Sequence, residues 1–400
     1  MTDDHKRPGG RGGTRTDTTI THGGRRDEWL QGMVNVPVSR TSTVLFEDVA
    51  SMEDSYPPRD GVLSYGRNGT PTLWSLAEAL TELEPGAAGT RLLPSGAAAV
   101  AIALTSVLEP GDELLMVDSV YGPTRTFCDQ WLKRFGVVTR YYDPLAEPDD
   151  IEAMLSETTR AIFMESPGSL TFEVQDVPGI CAVAKARGIT TLLDNTWATP
   201  VFFQALASGV DLSIVACTKY IAGHADLMLG SVTATEPAWK KLAKTAVLFG
   251  QHVSPDDAFL AARGLRTLGV RLRRHEENAI KIAHWLHDHP QIADVLHPAF
   301  ENFPGHEFWK RDFTGSSGLF SIVLKDADDD DAIKFVECLA LFGIGYSWGG
   351  FESLAIPIHP ERLRTVSNYP ASGAMVRLHV GLEDPDDLIA DLEQGLKRIS

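Results

Sequence analysis

The chain has 400 residues, 43% of them hydrophobic, and a formal net charge of −18 at pH 7. This length and hydrophobic content predict a large buried core and two to three domains. The negative charge argues against a nucleic-acid partner, because its phosphates would be repelled.

The cysteine pattern and the apolar runs indicate a cellular compartment. No CxxC pair occurs among the cysteines, which predicts reduced thiols and no disulfide framework. The four residues are Cys128, Cys181, Cys217 and Cys338. No apolar run approaches membrane-spanning length, and the N-terminus lacks the apolar core of a signal peptide. We therefore expect a cytoplasmic protein without membrane contact.

Residues 1–65 contain no long periodic segment. Residues 1–18 are rich in glycine and charge, and they cannot bury enough apolar surface to offset the entropy of ordering. They are predicted to form a disordered tail. Tyr65 and Arg67 lie at the start of a loop with the sequence SYGRNGT. Spacing alone gives them no function, since an isolated Tyr-x-Arg is an ordinary surface-loop sequence.

Residues 66–265 alternate between apolar runs and helical periodicity. Helices are predicted over 72–84, 95–108, 124–135, 149–155 and 177–187, and strands over 113–117, 137–142, 160–165, 189–194 and 212–217. This alternation predicts an α/β fold with a mainly parallel, doubly wound sheet. Ligands of such sheets bind at the carboxyl ends of the strands.

Two segments of this region are candidate ligand-binding elements. Ser95 and Gly96 open an alanine-rich helix, whose free backbone N–H groups would suit a phosphate group. A plain N-cap serine explains the same residues. Tyr121 follows the strand at 113–117, so its ring could line a cleft or could equally be a core aromatic.

Asp194 and Lys219 each stand at the end of an apolar strand. Lys219 is the only lysine between Lys185 and Lys240. Desolvation at the end of a buried strand disfavours the ammonium form, which makes the amine available as a nucleophile or base. A buried carboxylate needs a cationic partner, so the two residues could simply form an ion pair. A lysine that forms a Schiff base, together with an aspartate facing a pyridinium nitrogen, is also the arrangement that pyridoxal 5'-phosphate (PLP) requires.

Residues 266–400 are expected to form a smaller domain after one long helical region over 258–289. The histidines near the end of that region have no H-E-x-x-H motif and predict no metal site; they are His284, His287 and His289. Residues 345–350 form an aromatic loop. The strand at 375–381 places Arg377 and His379 on one face, but an arginine on a short strand is usually exposed.

Two motifs resemble the Cys/Met-metabolism family of PLP enzymes: Asp-Asn-Thr-Trp at 194–197 and Thr-Lys-Tyr-Ile-Ala-Gly-His at 218–224. The resemblance runs from about Thr19 to the C-terminus. It implies an aspartate-aminotransferase-like fold (PLP fold type I), with a seven-stranded sheet in a large domain over 66–265 and a smaller α/β domain over 266–400. It also implies a homotetramer, built as a dimer of dimers, in which residues 1–65 contact a neighbouring subunit.

The resemblance implies cofactor-binding and catalytic roles. Lys219 would hold PLP and act as the catalytic base, and Tyr121 would stack on the cofactor ring and face the reacting substrate. Asp194 would keep the ring nitrogen protonated. The residues implied at the cofactor phosphate are Gly96, Ala97 and Thr218 of the same chain and Tyr65 and Arg67 of a neighbour.

The resemblance also implies a substrate site in the C-terminal domain. Arg377 would grip the α-carboxylate of the substrate in a bidentate fork. Ser347 would assist both this arginine and the lysine. Trp348 and Tyr346 would line the substrate pocket.

The activity that the resemblance implies is β-elimination from L-cystathionine to homocysteine, pyruvate and ammonia, a carbon–sulfur lyase reaction of methionine biosynthesis. Three features favour it over γ-elimination: Ser-Pro-Gly-Ser at 166–169, Tyr346 in place of a glutamate, and Pro123-Thr124 in place of a turn containing cysteine. Val247 departs from the β-lyase pattern, which has a tyrosine near the entrance, and this bears on substrate preference.

Three alternatives stay open. Two are enzymes of the same family: a cysteine or cystine desulfhydrase, and a cystathionine or methionine γ-lyase. The third is a non-enzymatic binding or regulatory protein, which would be expected to lack Lys219, Asp194 or Arg377. All three residues are present.

Overall fold

The computed structural model describes residues 14–367, 369 and 371–399. They form a seven-stranded sheet between residues 87 and 235 and a four-stranded sheet between residues 292 and 379. Each sheet has its own group of buried apolar side chains. The predicted α/β fold with a mainly parallel seven-stranded sheet is confirmed. The predicted domain boundaries at 65/66 and 265/266 stay a prediction.

The larger sheet carries the two strand ends that the sequence singles out. Its strands are β1 Ala87–Leu93, β2 Glu113–Val117, β3 Val138–Tyr142, β4 Thr159–Glu165, β5 Thr190–Asp194, β6 Leu212–Val215 and β7 Gly230–Thr235. They lie in the order β1-β7-β6-β5-β4-β2-β3, and β7 runs antiparallel to both of its neighbours, β1 and β6. β2 and β6 are buried along their whole length, as expected for parallel strands covered on both faces. The parallel strands β4, β5 and β6 therefore end side by side at one edge.

Helices cover both faces of this sheet. The helices up to β7 are α1 Thr16–His22, α2 Asp27–Leu30, α3 Val49–Asp54, α4 Pro71–Glu82, α5 Gly96–Val107, α6 Gly122–Thr126, α7 Pro148–Met154, α8 Val177–Ala186 and α9 Thr199–Phe202. The helix predicted over 124–135 is irregular, because α6 passes into a π-helical turn at Phe127–Trp131 and a 3₁₀ turn at Leu132–Phe135.

The start of the chain departs from the prediction of disorder over residues 1–18. Residues 16–18 begin α1, and residues 1–13 lie outside the described part. Asp17 forms an ion pair with Arg273, 2.9 Å away, and Ile20 is buried. Composition could not reveal these contacts, because both depend on chain segments distant in sequence.

The helical region predicted over 258–289 is two helices. After α10 Glu236–Leu248, α11 spans Pro255–Leu265 and α12 spans Leu268–His287. At the break, Gly264 packs so closely on the backbone that a Cβ there would lie 2.3 Å from the carbonyl oxygen of Ala222. The Arg266 guanidinium donates hydrogen bonds to the carbonyls of Ile20 and Gly23. The helical pattern of the sequence does not reveal these contacts, and the chain bends where they form.

The smaller sheet is antiparallel. Its strands are β8 Ile292–Leu296, β9 Leu319–Leu324, β10 Leu354–Ile358 and β11 Met375–His379, in the order β10-β11-β9-β8. Its helices are α13 His306–Asp312, α14 Asp329–Glu337 and α15 Pro385–Leu396. α12 contacts both β8 and α15. The long helix therefore forms part of the core of the smaller sheet.

Asp118 fixes the segment between β10 and β11 to the larger sheet. It follows β2 and is three residues before Tyr121. Its carboxylate accepts hydrogen bonds from the backbone N–H groups of residues 365–367 at 2.8–3.0 Å and from the Arg125 guanidinium at 2.5 Å. Burial alone would raise the pKa of Asp118, but these donors lower it to about 2. A buried carboxylate so fully bonded holds the two sheets together beside Tyr121.

Candidate active site

The Lys219 amine lies between two parts of the fold. Lys219 follows β6, and its Nζ donates a hydrogen bond to Ser347 Oγ of the smaller-sheet region at 2.5 Å. The same Nζ is 5.2 Å from the centre of the Trp348 ring. Burial and, to a smaller extent, the charge of Arg377 lower the pKa of Lys219 to about 8, while Asp194 opposes the shift. A lysine with this pKa supplies neutral amine near neutral pH.

Asp194 ends β5 beside a second buried carboxylate, Glu165, which ends β4 and is its register partner. Burial raises the pKa of Asp194, while two hydrogen bonds from Thr196 and the Lys219 charge oppose the rise. Burial and the neighbouring Asp194 raise the pKa of Glu165 well above its usual value. Burial opposes ionisation of both carboxyls, while the Lys219 charge and the two hydrogen bonds favour the charged form at Asp194 over that at Glu165.

Glu165 is a site residue that sequence reasoning missed. Its Oε2 accepts a hydrogen bond from the backbone N–H of Tyr121 at 2.7 Å, so it fixes the backbone that carries this ring. A signal is present in the sequence, because Glu165 ends an apolar run as Asp194 does. PLP needs only one carboxylate at its ring nitrogen, and Asp194 already supplies it. The sequence therefore gives no reason to select Glu165 as a second site residue.

Tyr121 lies among the charged groups of this edge. Its side chain is about half exposed. Burial raises the pKa of Tyr121, the charges of Glu165 and Asp194 raise it further, and Arg377 lowers it. The ring therefore belongs to the same cluster as the strand ends and is not a core aromatic.

Arg377 is mostly buried, contrary to the usual exposure of an arginine on a short strand. It lies on β11, and its Nη2 donates a hydrogen bond to the carbonyl of Ser347 at 3.1 Å. Burial lowers the pKa of Arg377 to about 10. Among the residues with described positions, no carboxylate forms an ion pair with it. A buried guanidinium without an anion is unfavourable, so the site suits an anionic ligand group.

Only part of the loop at residues 346–350 contacts Lys219 and Arg377. Ser347 contacts both Lys219 and Arg377, and Trp348 lies beside the Lys219 amine. Tyr346 is 93% exposed, so this chain does not enclose it in a pocket. Its predicted part in substrate binding stays a prediction.

The N-terminus of α5 offers backbone donors. Ser95 Oγ accepts a hydrogen bond from the N–H of Ala98 at 3.1 Å, while the N–H groups of Gly96 and Ala97 have no acceptor within a helix. A Cβ on Gly96 would lie 2.7 Å from that of Ala216, so only glycine allows this helix end to approach the segment after β6.

The Thr218 hydroxyl forms hydrogen bonds with the backbone of Leu229. Its hydroxyl donates to the carbonyl of Leu229 at 3.1 Å and accepts from the N–H of the same residue at 2.9 Å. Binding a phosphate group would require this hydroxyl to exchange its acceptor. The predicted phosphate contact of Thr218 stays a prediction.

The residues of this edge fit PLP. The cofactor needs a reactive amine, a carboxylate at its ring nitrogen and an anion site for its phosphate. Lys219 supplies an amine with a lowered pKa, Asp194 a buried carboxylate, and the start of α5 the unpaired N–H groups. The buried Arg377 remains for a second anionic group.

Within the described part of their own chain, Tyr65 and Arg67 form no hydrogen bond with Lys219 or Asp194. Tyr65 is about half exposed. In the described part of the chain, Arg67 donates a hydrogen bond to the carbonyl of Val247 at 3.2 Å and makes none to Lys219 or Asp194. Val247, which departs from the resembled pattern, is itself 40% exposed. The role of Tyr65 and Arg67 in a neighbouring subunit stays a prediction.

Metal and membrane features are absent from the described residues. No group of three or more His, Cys, Asp or Glu side chains there could hold a metal ion. No helix over the same residues is long and apolar enough to cross a membrane. All four cysteines are free, and three of them are buried.

Comparison with known proteins identifies a family. The model of the Cys/Met metabolism PLP-dependent enzymes matches residues 17–397. The cystathionine beta-lyase of Escherichia coli strain K12 is 45% identical over 96% of this chain and 99% of its own. A putative cystathionine beta-lyase of Rhizobium johnstonii is 47% identical over 96% of both chains.

Two further matches show how widely the fold is used. The L-alanine/L-glutamate racemase of Wolbachia pipientis is 38% identical over 96% of this chain and 98% of its own. The crystal structure of metB from Corynebacterium glutamicum is 30% identical, with a TM-score of 0.86 over 96% of this chain and 97% of the other. The fold is therefore shared with a solved structure, while named activities differ among the relatives.

Proposed function

The chain belongs to the Cys/Met metabolism PLP-dependent enzymes, and on this premise we propose that it cleaves L-cystathionine by β-elimination to homocysteine, pyruvate and ammonia. The observation that carries the proposal is the identity of 45–47%, over nearly the full length of both chains, to relatives named as cystathionine beta-lyases. The site supports it with the Lys219 amine and the Asp194 carboxylate at one edge of the larger sheet, and with the Arg377 guanidinium on β11, which forms no ion pair within the described part of the chain.

Lys219 is proposed as the base that removes the Cα proton. When bound, PLP supplies an electron sink for the carbanion left at Cα. The Lys219 amine has a pKa of about 8, so its neutral form accepts a proton without a large energetic cost. Asp194 holds the proton on the ring nitrogen, and Ser347 orients the amine through the 2.5 Å hydrogen bond.

Tyr121 is proposed as the proton donor to the leaving group. The electron pair from the Cα–H bond forms the new Cα–Cβ double bond, and the thiolate departs with the electron pair of the Cβ–S bond. The Tyr121 hydroxyl keeps its proton because burial and the charges of Glu165 and Asp194 raise its pKa. Transfer of that proton to the thiolate releases homocysteine as the thiol, and the proton that Lys219 took from Cα restores the Tyr121 hydroxyl.

Replacing Arg377 by lysine should weaken substrate binding. Lysine keeps the charge but lacks the planar fork that binds a carboxylate through two parallel hydrogen bonds. We expect kcat/KM for L-cystathionine to fall about 100-fold, mainly because KM rises. This corresponds to a loss of about 3 kcal/mol of binding free energy, a typical cost of disrupting a buried charge pair. Steady-state kinetics would measure this.

A matched control is Arg362→Lys, an exposed arginine in a 3₁₀ turn near β10, which should behave like the wild type. Unchanged KM in Arg377→Lys would contradict the assignment of Arg377 to the substrate carboxylate. The cofactor absorption band of the variant should match that of the wild type, which separates substrate binding from cofactor binding.

Together with this function we propose a homotetramer, in which neighbouring subunits complete each other's active sites. The N-terminal segment exposes a set of apolar side chains that a monomer would leave in water; they include Leu45, Val49, Met52, Tyr56 and Leu63. Tyr65 and Arg67 follow this set. Covering it with a second copy would bring both residues to the neighbour's site.

Mixing two inactive variants tests the shared site. Lys219→Ala and Arg67→Ala subunits, unfolded and refolded together, should regain about a quarter of wild-type activity, because half of the random pairs contain one intact site of two. Each variant refolded alone is the control. Activity no greater than the average of the two variants would show that each chain completes its own site.

The cytoplasm is the proposed location. Free thiols at all four cysteines suit a reducing compartment.

Product identification tests the proposed reaction. The PLP-loaded protein would be given L-cystathionine, and the keto acid and thiol would be identified. Pyruvate with homocysteine supports the proposal, whereas 2-oxobutyrate with cysteine makes the protein a γ-lyase. No product from L-cystathionine but turnover of L-cystine would show a desulfhydrase. Appearance of D-alanine or D-glutamate from the L-isomer, without cleavage of cystathionine, would show a racemase.

A further inference from the structure

We propose that His379 and His275 are positioning residues, a complementary pair of neutral histidines that holds residues 346–350 so that Ser347 contacts Lys219. The inference rests on the proposed function, because that function gives Lys219 and Ser347 their roles.

The loop needs an anchor because its backbone is strained. Ser347 has φ +84°, a left-handed conformation that residues other than glycine rarely adopt and that persists only when surrounding contacts enforce it. Gly349 has φ +85°, and a Cβ there would lie 2.9 Å from the Lys219 backbone carbon. The loop therefore packs directly on the backbone of the catalytic lysine.

His379 supplies a contact at the centre of the loop. Its side chain is buried on β11, and its Nε2 accepts a hydrogen bond from the N–H of Gly349 at 3.0 Å. The carbonyl of Gly350 lies 3.2 Å from the same nitrogen, so the two contacts require opposite proton positions and only one of them is a hydrogen bond. The Gly349 N–H is the closer group, so we assign the ring proton to Nδ1.

His275 on α12 has the complementary proton arrangement. Its side chain is fully buried, and its Nδ1 lies 2.8 Å from the carbonyl of Val380. A carbonyl only accepts, so Nδ1 carries the proton and Nε2 is a bare acceptor. His275 Nε2 and His379 Nδ1 have no hydrogen-bond partner in the described protein.

The two unpaired atoms can satisfy each other. One is a donor on His379 and the other an acceptor on His275, and the ring centres are 5.3 Å apart. Leaving both unpaired would be costly in a buried site, and one bridging water that accepts from His379 and donates to His275 removes the cost. The pair thereby ties the loop at 346–350 to the long helix α12.

Tyr220 connects this pair to the catalytic lysine. It is the residue after Lys219, and its ring centre lies 5.2 Å from that of His275, 6.1 Å from that of His379 and 5.4 Å from that of Trp348. Burial lowers the pKa of His275 to about 4 and that of His379 well below its usual value. Both rings therefore stay neutral near neutral pH.

Two substitutions of His379 distinguish anchoring from simple packing. Glutamine can place an acceptor oxygen near the position of Nε2, whereas the shorter asparagine cannot reach Gly349. In the PLP-loaded enzyme, His379→Asn should lower kcat about tenfold, the effect of one lost hydrogen bond, with little change in KM. His379→Gln should stay close to the wild type.

Hydrogen exchange gives a readout that does not depend on activity. Mass spectrometry should show the Gly349 amide exchanging about tenfold faster in His379→Asn than in the wild type and in His379→Gln. His284→Asn, an exposed residue on the same helix as His275, is the matched control and should change neither exchange nor kcat. Equal Gly349 exchange in the wild type and His379→Asn would overturn the proposal.

A substitution of His275 provides a second test if the His379→Asn variant does not fold. His275→Asn keeps a donor for the Val380 carbonyl and removes only the Nε2 acceptor, so Gly349 exchange should again rise. Unchanged exchange in this variant would refute the pairing of the two histidines. If the wild type does not cleave L-cystathionine but shows the expected exchange pattern, the proposed function fails and the anchoring stands.

Discussion

Replacing Lys219 by alanine should abolish turnover and the visible absorption of the bound cofactor together. In the proposed reaction the same amine binds the cofactor and removes the Cα proton, so no other group would take over either step. We expect kcat/KM for L-cystathionine to fall by more than about 10⁴-fold, at the upper end of the effect of a general base. A coupled assay for pyruvate and an absorption spectrum of the purified variant would measure both losses.

Lys240→Ala is the matched control, because Lys240 is an exposed lysine in α10. It should retain both the absorption band and the activity. Borohydride reduction of the wild type, followed by peptide mapping, should locate the cofactor on the peptide that contains Lys219. Retention of either activity or the band in Lys219→Ala would refute the assignment.

Replacing Asp194 by asparagine should lower kcat about 1000-fold, a loss typical of removing a charged group that stabilises a transition state. An amide cannot hold a proton on the ring nitrogen as a carboxylate does, so the cofactor would withdraw electrons less well. The size and burial of the side chain barely change. Steady-state kinetics with the cofactor-saturated variant would measure the loss.

Glu165→Gln provides the sharpest control for this prediction. The pKa of Glu165 is raised well above its usual value, so the amide replaces a neutral acid and still accepts the Tyr121 N–H. We expect kcat within about tenfold of the wild type. A large loss in Glu165→Gln with little loss in Asp194→Asn would mean that the charge resides on Glu165.

The sequence predicted the larger sheet and the strand ends that meet at its edge well, because both depend on local pattern. Apolar runs identify buried parallel strands, and the ends of such strands must meet at one edge. The amino-acid pattern alone therefore places Asp194 and Lys219 together. The helix opened by Gly96 is predictable for the same reason, since its serine cap and alanines act locally.

Other features depended on contacts between distant segments. Arg377 is buried because β11 packs against the loop at 346–350, and an alternating strand pattern does not reveal which face is covered. Residues 16–18 begin α1, whose Asp17 forms an ion pair with the distant Arg273 and whose Ile20 is buried. The break between α11 and α12 follows from the packing of Gly264 on another backbone. None of these contacts has a signal within its own stretch of sequence.

The sequence by itself therefore determined the fold class, the cofactor and the residues at the strand ends, since each follows from a periodicity or a contiguous motif. The tertiary structure alone placed Glu165 beside Asp194 and set the contacts that hold Ser347 against Lys219. Both depend on burial and on hydrogen-bond geometry between residues far apart in the chain. His275 and His379 are more than 100 residues apart in the chain, and their rings become neighbours only once α12 and β11 are packed together.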